Sequence, residues 1–233
     1  MKLQILFISL LHIISTNYSL CQILTNKKIE KIKTEAITIV ESNYKNTEIM
    51  VDKVFSFAEL GFQEIETSKY LTDILSKNNF TIEKGVSNIP TAWFAKWTNG
   101  DGPVIALGSD VDCIPKASQF PGVAYHKPMV EGAPGHGEGH NSGVPVIITA
   151  ALAVKELMIQ ENIKGTLILW PGIAEELVAA KAWYTRDGLF DDIDLCIFTH
   201  VSSNLSVSWG QSSGTGLISV EYSFEGEAAH SAG

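Results

Sequence analysis

Three continuous apolar runs constrain the fold most strongly: PVIALGSD (103–110), GTLILWPG (165–172) and DIDLCIFTH (192–200). Runs of this length, without polar alternation, belong to strands buried on both faces of a sheet. Helical patterns lie between them, in PVIITAALAVKELMIQEN (145–162) and from about Glu175 to Asp187. Apolar strands alternating with helices predict an α/β fold: a mixed, largely parallel sheet covered by helices.

Upstream, the pattern is helical from Asn26 to about Leu60, with Ile29, Ile32, Ala36, Ile39 and Val40 on one face. EIETSKYLTDILSKNN (64–79) forms a second amphipathic helix ended by its Asn pair. FTIEKGV (80–86) and TAWFAKW (91–97) read as strands, and NGDG (99–102) predicts a hairpin joining the second of them to PVIALGSD. Near the end, SVSWGQSSGTGLISVEYSFEG (206–226) alternates as antiparallel strands do.

The composition, 45% hydrophobic and 18% charged, suits a globular chain with a sizeable core. A net charge of -9, with no Lys/Arg-rich block, argues against nucleic acid as a partner. At the N-terminus, Lys2 is the only Lys, Arg, Asp or Glu before Lys27, and LQILFISLLHII has the length of a signal-peptide core. With SLC ahead of Gln22, residues 1–21 read as a signal peptide. Export to the periplasm or outside the cell is therefore expected, with no stable membrane span. Three cysteines do not make a disulfide framework. Cys21 leaves with the signal, while Cys113 and Cys196 read as small core residues.

Ligands in open α/β sheets gather at the carboxyl ends of strands. Here three strands end at or just before ionisable residues: Asp110, then the Glu175–Glu176 pair, and His200. A fourth element, GAPGHGEGHNSG (132–143), carries His136, Glu138 and His140 at alternate positions. Its glycines disfavour a helix, and in an extended loop alternate residues point the same way, so Glu138 and His140 can reach one ion. The loop is either one wall of a metal site or a solvated loop. Glu175 and Glu176 either stabilise a helix N-terminus or divide the work of binding metal and accepting a proton. His200 is either a satisfied core residue or a ligand. Asp110 and Asp112 either orient a ligating His from behind or begin a turn.

Taken in order, AELGFQEIETSKYL, ALGSDVDCIP, GHGEGHNSG, WPGIAEELVAAKAWYTRDGLFDDIDLCIFTH and FEGEAAHSAG resemble the metal-dependent aminoacylase/carboxypeptidase-type amidohydrolases. The branch they are most similar to is that of the aminobenzoyl-glutamate hydrolase B-type chain. The resemblance implies a dinuclear metallo-exopeptidase-like catalytic domain over residues 22–210 and the start of an α/β lid over 211–233, the lid mediating a homodimer. It implies Glu175 as general base and Glu138, His140, Glu176 and His200 as ligands of two divalent ions, Zn or Mn. Asp112, Asp110 and His136 would stand behind the ligands. His230 matches a lid histidine that helps polarise the scissile carbonyl, often in the partner subunit's site. The implied substrate is a small amide, an N-acyl or aryl-amide amino acid conjugate. A carboxypeptidase or dipeptidase acting on short peptides is the neighbouring expectation.

There are departures. Relatives in this branch carry Cys where this chain has Glu138, and many members carry Arg where it has Gly108. The chain also stops at Gly233, where the lid begins and before the family's last His ligand. The resemblance thus implies the N-terminal part of a longer protein, and a non-catalytic metal-binding fragment stands as the alternative.

Overall fold

A computed structural model describes residues 25–210, 218 and 220–232. The signal-peptide reading of residues 1–21 lies outside the described residues. The predicted helix from Asn26 to Leu60 is two helices, α1 (Asn26–Ser42) and α2 (Tyr44–Phe57). Thr25 caps α1 by accepting the Lys28 N–H at 3.3 Å. The break falls at Asn43, whose side-chain amide donates to the Ile39 carbonyl at 2.9 Å. Such side-chain competition for helix carbonyls stops propagation locally, a signal that apolar periodicity does not carry. The second amphipathic stretch folds as α3 (Ile65–Lys77) and ends at Asn78, as expected.

The sheet has five strands: β1 (Thr81–Lys84), β2 (Trp93–Thr98), β3 (Val104–Asp110), β4 (Thr166–Gly172) and β5 (Leu195–Phe198), in the order β1-β2-β4-β3-β5. β4, β3 and β5 are parallel, and β2 and β1 extend the sheet in antiparallel fashion. The class is the predicted mixed α/β fold.

The predicted β2–β3 hairpin is corrected. The chain does reverse at NGDG, but β4 lies between the two strands. Asn99 is tied to the incoming β4 segment instead: its N–H donates to the Gly165 carbonyl at 2.9 Å, and its side-chain amide reaches the carbonyls of Met158 and Ile163 at 3.0 and 2.7 Å. Turn chemistry dictates reversal but not adjacency. The almost wholly buried β4 takes the central position, where both of its faces are covered.

α4 (His140–Gln160) packs on β3 and β4, and α1, α2 and α3 pack against α4. By hydropathy and length α4 could cross a membrane, but here it is a core helix between the sheet and α1–α3. It approaches β3 so closely that a Cβ at Gly143 would meet the Ser109 side chain. Ser109 therefore faces α4, and by strand alternation Gly108 faces the other side. There Phe94, Trp170, Tyr184 and Phe190 form an aromatic cluster with ring centroids 5.0–6.4 Å apart. It packs beneath α5 (Ala180–Arg186), which contributes Tyr184.

The Trp170 indole fills the space over Gly108, so even a Cβ there would overlap its ring. The Trp170 ring leaves no room at position 108 for the Arg that the resemblance implies there. Gly108→Ala should destabilise the fold by about 1–3 kcal/mol, the usual cost of overpacking. Urea unfolding checks this, and an unchanged midpoint would mean that Trp170 shifts freely.

Three further readings are corrected. The helix expected from Glu175 is a single 3-10 turn (Glu175–Leu177) followed separately by α5, because Ala174 and Val178 flank the turn in the left-handed region. A regular helix cannot pass through such residues. β5 is an exposed edge strand, not a buried one, and Cys196 on it is exposed. Its apolar sequence anticipates cover that the described residues do not supply. Finally, the described residues between 206 and 226 contain no strand, while 211–217 and 219 of that predicted stretch lie outside the described residues. Alternation alone makes no strand without a ladder partner, and Val207 and Trp209 stand almost fully exposed. Cys113 is buried, as expected, and burial, reinforced by the nearby Asp112 carboxylate, pushes its thiol up to about 12.

Candidate metal centre

Because β4, β3 and β5 are parallel neighbours, their carboxyl ends open on one edge. Asp110 ends β3, Glu175 and Glu176 follow β4, and His200 follows β5. His140 joins them by a route other than the expected extended loop. Gly139 takes a left-handed conformation (φ 72°), and His140 is the first residue of α4. Only glycine adopts that turn at little cost. Glu138 and His140 still converge, because the loop turns and not because alternate residues share a side.

Two groups of side chains have potential ligand atoms within 4.8 Å of one another: Asp110, His140 and His200, and Glu138, His140 and Glu176. His140 belongs to both. It is buried, its Nδ1 lying 3.1 Å from the Asp112 carbonyl oxygen, 3.4 Å from the Asp112 carboxylate and 3.9 Å from Glu176. Its Nε2 lies 3.1 Å from the Nε2 of His200, with the rings edge to face. His200 in turn places Nδ1 2.7 Å from the Val201 carbonyl oxygen and Nε2 3.8 Å from Glu138.

The backbone contacts orient both rings. A carbonyl oxygen only accepts, so each Nδ1 carries the proton and donates it to the backbone. Each Nε2, the ring nitrogen turned away from the backbone, then faces the other ring's Nε2 at 3.1 Å. That approach is favourable only when a proton or a cation is held between or beside the rings. Glu176 Oε1 is also buried with no hydrogen-bond donor, and the buried Asp112 Oδ1 has His140 Nδ1 at 3.4 Å. Imidazole nitrogens and carboxylate oxygens in this density fit a divalent first-row cation.

The remaining residues set the electrostatics. Asp112 accepts the Glu176 N–H at 3.0 Å through Oδ2, so one buried carboxylate orients both His140 and the Glu176 backbone. Burial works to lower the His140 pKa, but the Asp112 hydrogen bond and the Asp110 and Asp112 charges outweigh it and leave it raised. Burial and the neighbouring Glu138, Asp112 and Glu175 carboxylates raise Glu176. Burial also raises Asp110, although Lys181 lies 2.9 Å from its carboxylate. Lys181 also lies 3.7 Å from Glu175 and 4.5 Å above the Phe198 ring.

His136 stands apart from both ligand groups. Its Nε2 lies 3.2 Å from the Val54 carbonyl, and burial pushes its pKa down to about 4. His230 lies on the exposed stretch 220–232, where its Nδ1 accepts the Ala232 N–H at 3.1 Å. Sequence reasoning passed over Lys181 and Glu64. Lys181 lies in a helical stretch where a lysine reads as solvated, and Glu64 reads as an ordinary residue opening a helix. Both signals depend on chain neighbours far away.

Fold and site together define an α/β protein with a carboxylate–histidine cluster suited to a divalent metal at the carboxyl edge of its sheet. Among curated proteins, the chain is 30% identical over 193 residues to the B-type chain of p-aminobenzoyl-glutamate hydrolase from Escherichia coli, covering 83% of this chain and 40% of the relative. It is also 30% identical over 187 residues to N-acetyl-L-cysteine deacetylase of Bacillus subtilis, covering 76% and 42%. Among solved structures it is similar to a dinuclear metal-binding peptidase of the M20 family from Bacillus subtilis, with a TM-score of 0.59 and 25% identity over 71% of this chain and 45% of that one. No protein-family profile matches the chain. The chain is thus similar to the metal-dependent aminoacylase/carboxypeptidase-type amidohydrolases, the M20 family. It spans about two-fifths of the length of the curated relatives named.

Proposed function

We propose that the protein hydrolyses amide bonds in N-acyl or aryl-amide amino acid conjugates, using two divalent ions held by Glu138, His140, Glu176 and His200. The observation that carries this reading is the convergence of His140 with Asp110 and His200, and with Glu138 and Glu176, potential ligand atoms in each group lying within 4.8 Å of one another. The substrate class is supported by the names of the two curated relatives. Glu138, a carboxylate, makes the ligand set oxygen-rich and supports Mn²⁺ or Zn²⁺.

Bound there, divalent ions supply Lewis acidity, which activates water and polarises the amide carbonyl. Glu175 lies beside the cluster but in neither ligand group, so its carboxylate is free to take a proton from water and hand it to the leaving amine. Lys181 holds Asp110 and lies within reach of Glu175, keeping the acidic edge from repelling itself apart. Asp112 orients His140, and His136 packs behind the loop as a neutral ring. The same reading assigns His230 to a substrate carbonyl and the segment from 211 onwards to a lid that pairs two subunits. It also assigns residues 1–21 to export. These last assignments rest on the sequence pattern and the resemblance.

The test is a panel of N-acyl amino acids, aryl-amide glutamates and dipeptides, offered to the protein replete with Mn²⁺ or Zn²⁺. Hydrolysis of the first two classes, abolished by a chelator and restored by added metal, is the expected outcome. Preference for dipeptides would make the protein a peptidase. Full metal occupancy with no turnover on any member would reduce it to a metal-binding module.

A further inference from the structure

Glu64 is fully buried and touches none of the proposed metal ligands, yet it is tied to the segment that presents two functional side chains. Its Oε1 accepts the Ala174 N–H at 2.9 Å, and its Oε2 accepts the Thr91 hydroxyl at 2.9 Å. Ala174 immediately precedes Glu175 and Glu176. It is itself buried, with φ 51° and ψ 43°. A residue with a Cβ occupies that left-handed region only when its surroundings over-determine it. Here the surroundings are the Glu64 carboxylate on one side and Gly61 on the other, where an added Cβ would lie 2.9 Å from the Ala174 Cα.

The turn that carries Gly61 and Glu64 also grips the second wall of the site. The Glu59 carbonyl accepts the Cys113 N–H at 2.9 Å, next to Asp112, and Leu60 bridges to Cys113. The Glu59 carboxylate meanwhile accepts the N–H groups of Glu66 and Thr67 at 2.9 Å, anchoring the turn to the start of α3. One short turn thus bonds to the residue after Asp112 and to the residue before Glu175. A buried carboxylate is expensive to place without such partners, and packing alone would be served by an apolar side chain.

We infer that Glu64 is a positioning residue: clamped by Thr91, it holds Ala174 in its left-handed conformation and so fixes Glu175 and Glu176 at the metal centre. This rests on the metal reading proposed above.

The test is calorimetric titration of the protein with Mn²⁺ and with Zn²⁺, alongside circular dichroism to establish folding. Glu64→Ala should weaken metal affinity by roughly 10- to 100-fold, as loss of an outer support for a ligand does. Glu64→Gln, whose carbonyl still accepts the Ala174 N–H, should recover most of that affinity. Leu75→Ala serves as the comparator: it should lower the melting temperature without moving metal affinity. A folded Glu64→Ala protein with wild-type affinity overturns the inference. If Glu64→Ala does not fold, Thr91→Val loosens the clamp more gently, and wild-type affinity in that folded variant overturns it equally. Failure of the wild-type protein to take up either metal would instead defeat the metal reading, and this inference with it.

Discussion

Glu175→Gln is expected to keep its metal and lower turnover by about 10²- to 10⁴-fold, the usual contribution of a general base. Gln matches Glu in shape but has no basic oxygen to receive a proton from water. The substitution spares both ligand groups, since Glu175 belongs to neither. It also leaves the fold alone, because the Glu175 side chain is partly exposed and its charged neighbour, Lys181, keeps Asp110 as a closer partner. Elemental analysis beside steady-state kinetics separates the two effects. Normal turnover would remove Glu175 from the chemistry, whereas loss of metal would make it a ligand.

The second large effect falls on His140. It is the one residue common to both ligand groups, and its ring is held in place by the Asp112 carbonyl and carboxylate. His140→Ala should abolish metal uptake rather than weaken it, because neither group then retains three donors. A metal at a hundred times its dissociation constant stabilises a folded protein by about 2.7 kcal/mol. Thermal melting with and without Mn²⁺ should show that gain in the wild-type protein and none in His140→Ala. Glu138→Ala should give a smaller loss, since Glu138 belongs to one group and its side chain is half exposed. Retained metal stoichiometry in His140→Ala would overturn the shared-ligand arrangement.

Some of this site is legible in local pattern alone. Asp110, the Glu175–Glu176 pair and His200 each follow an apolar run, and a parallel arrangement of those runs brings their ends together. Continuous apolar runs favour such an arrangement because parallel strands are covered on both faces. The Glu138–His140 spacing predicts convergence for a reason the structure replaces: the two meet through a left-handed Gly139 and the start of α4, not along an extended strand. Local pattern identified the residues without describing the turn that joins them.

Other features are invisible to local pattern because they depend on which segments become neighbours. NGDG reverses the chain as its chemistry demands, but the insertion of β4 between β2 and β3 is decided by which strand gains most from burial on both faces. The runs of β5 and 206–226 read as buried or paired, yet burial and pairing belong to a partner surface and not to the run itself. The same holds for Lys181 against Asp110, 71 residues apart, and for Glu64 against Ala174, 110 residues apart. The sequence by itself determined the class of fold and the chemical types gathered at one sheet edge, because periodicity and strand ends are local properties. Only the tertiary structure decided strand order, the approach of the two histidine Nε2 atoms and the clamp on Ala174, because each is a contact between segments that no local spacing encodes.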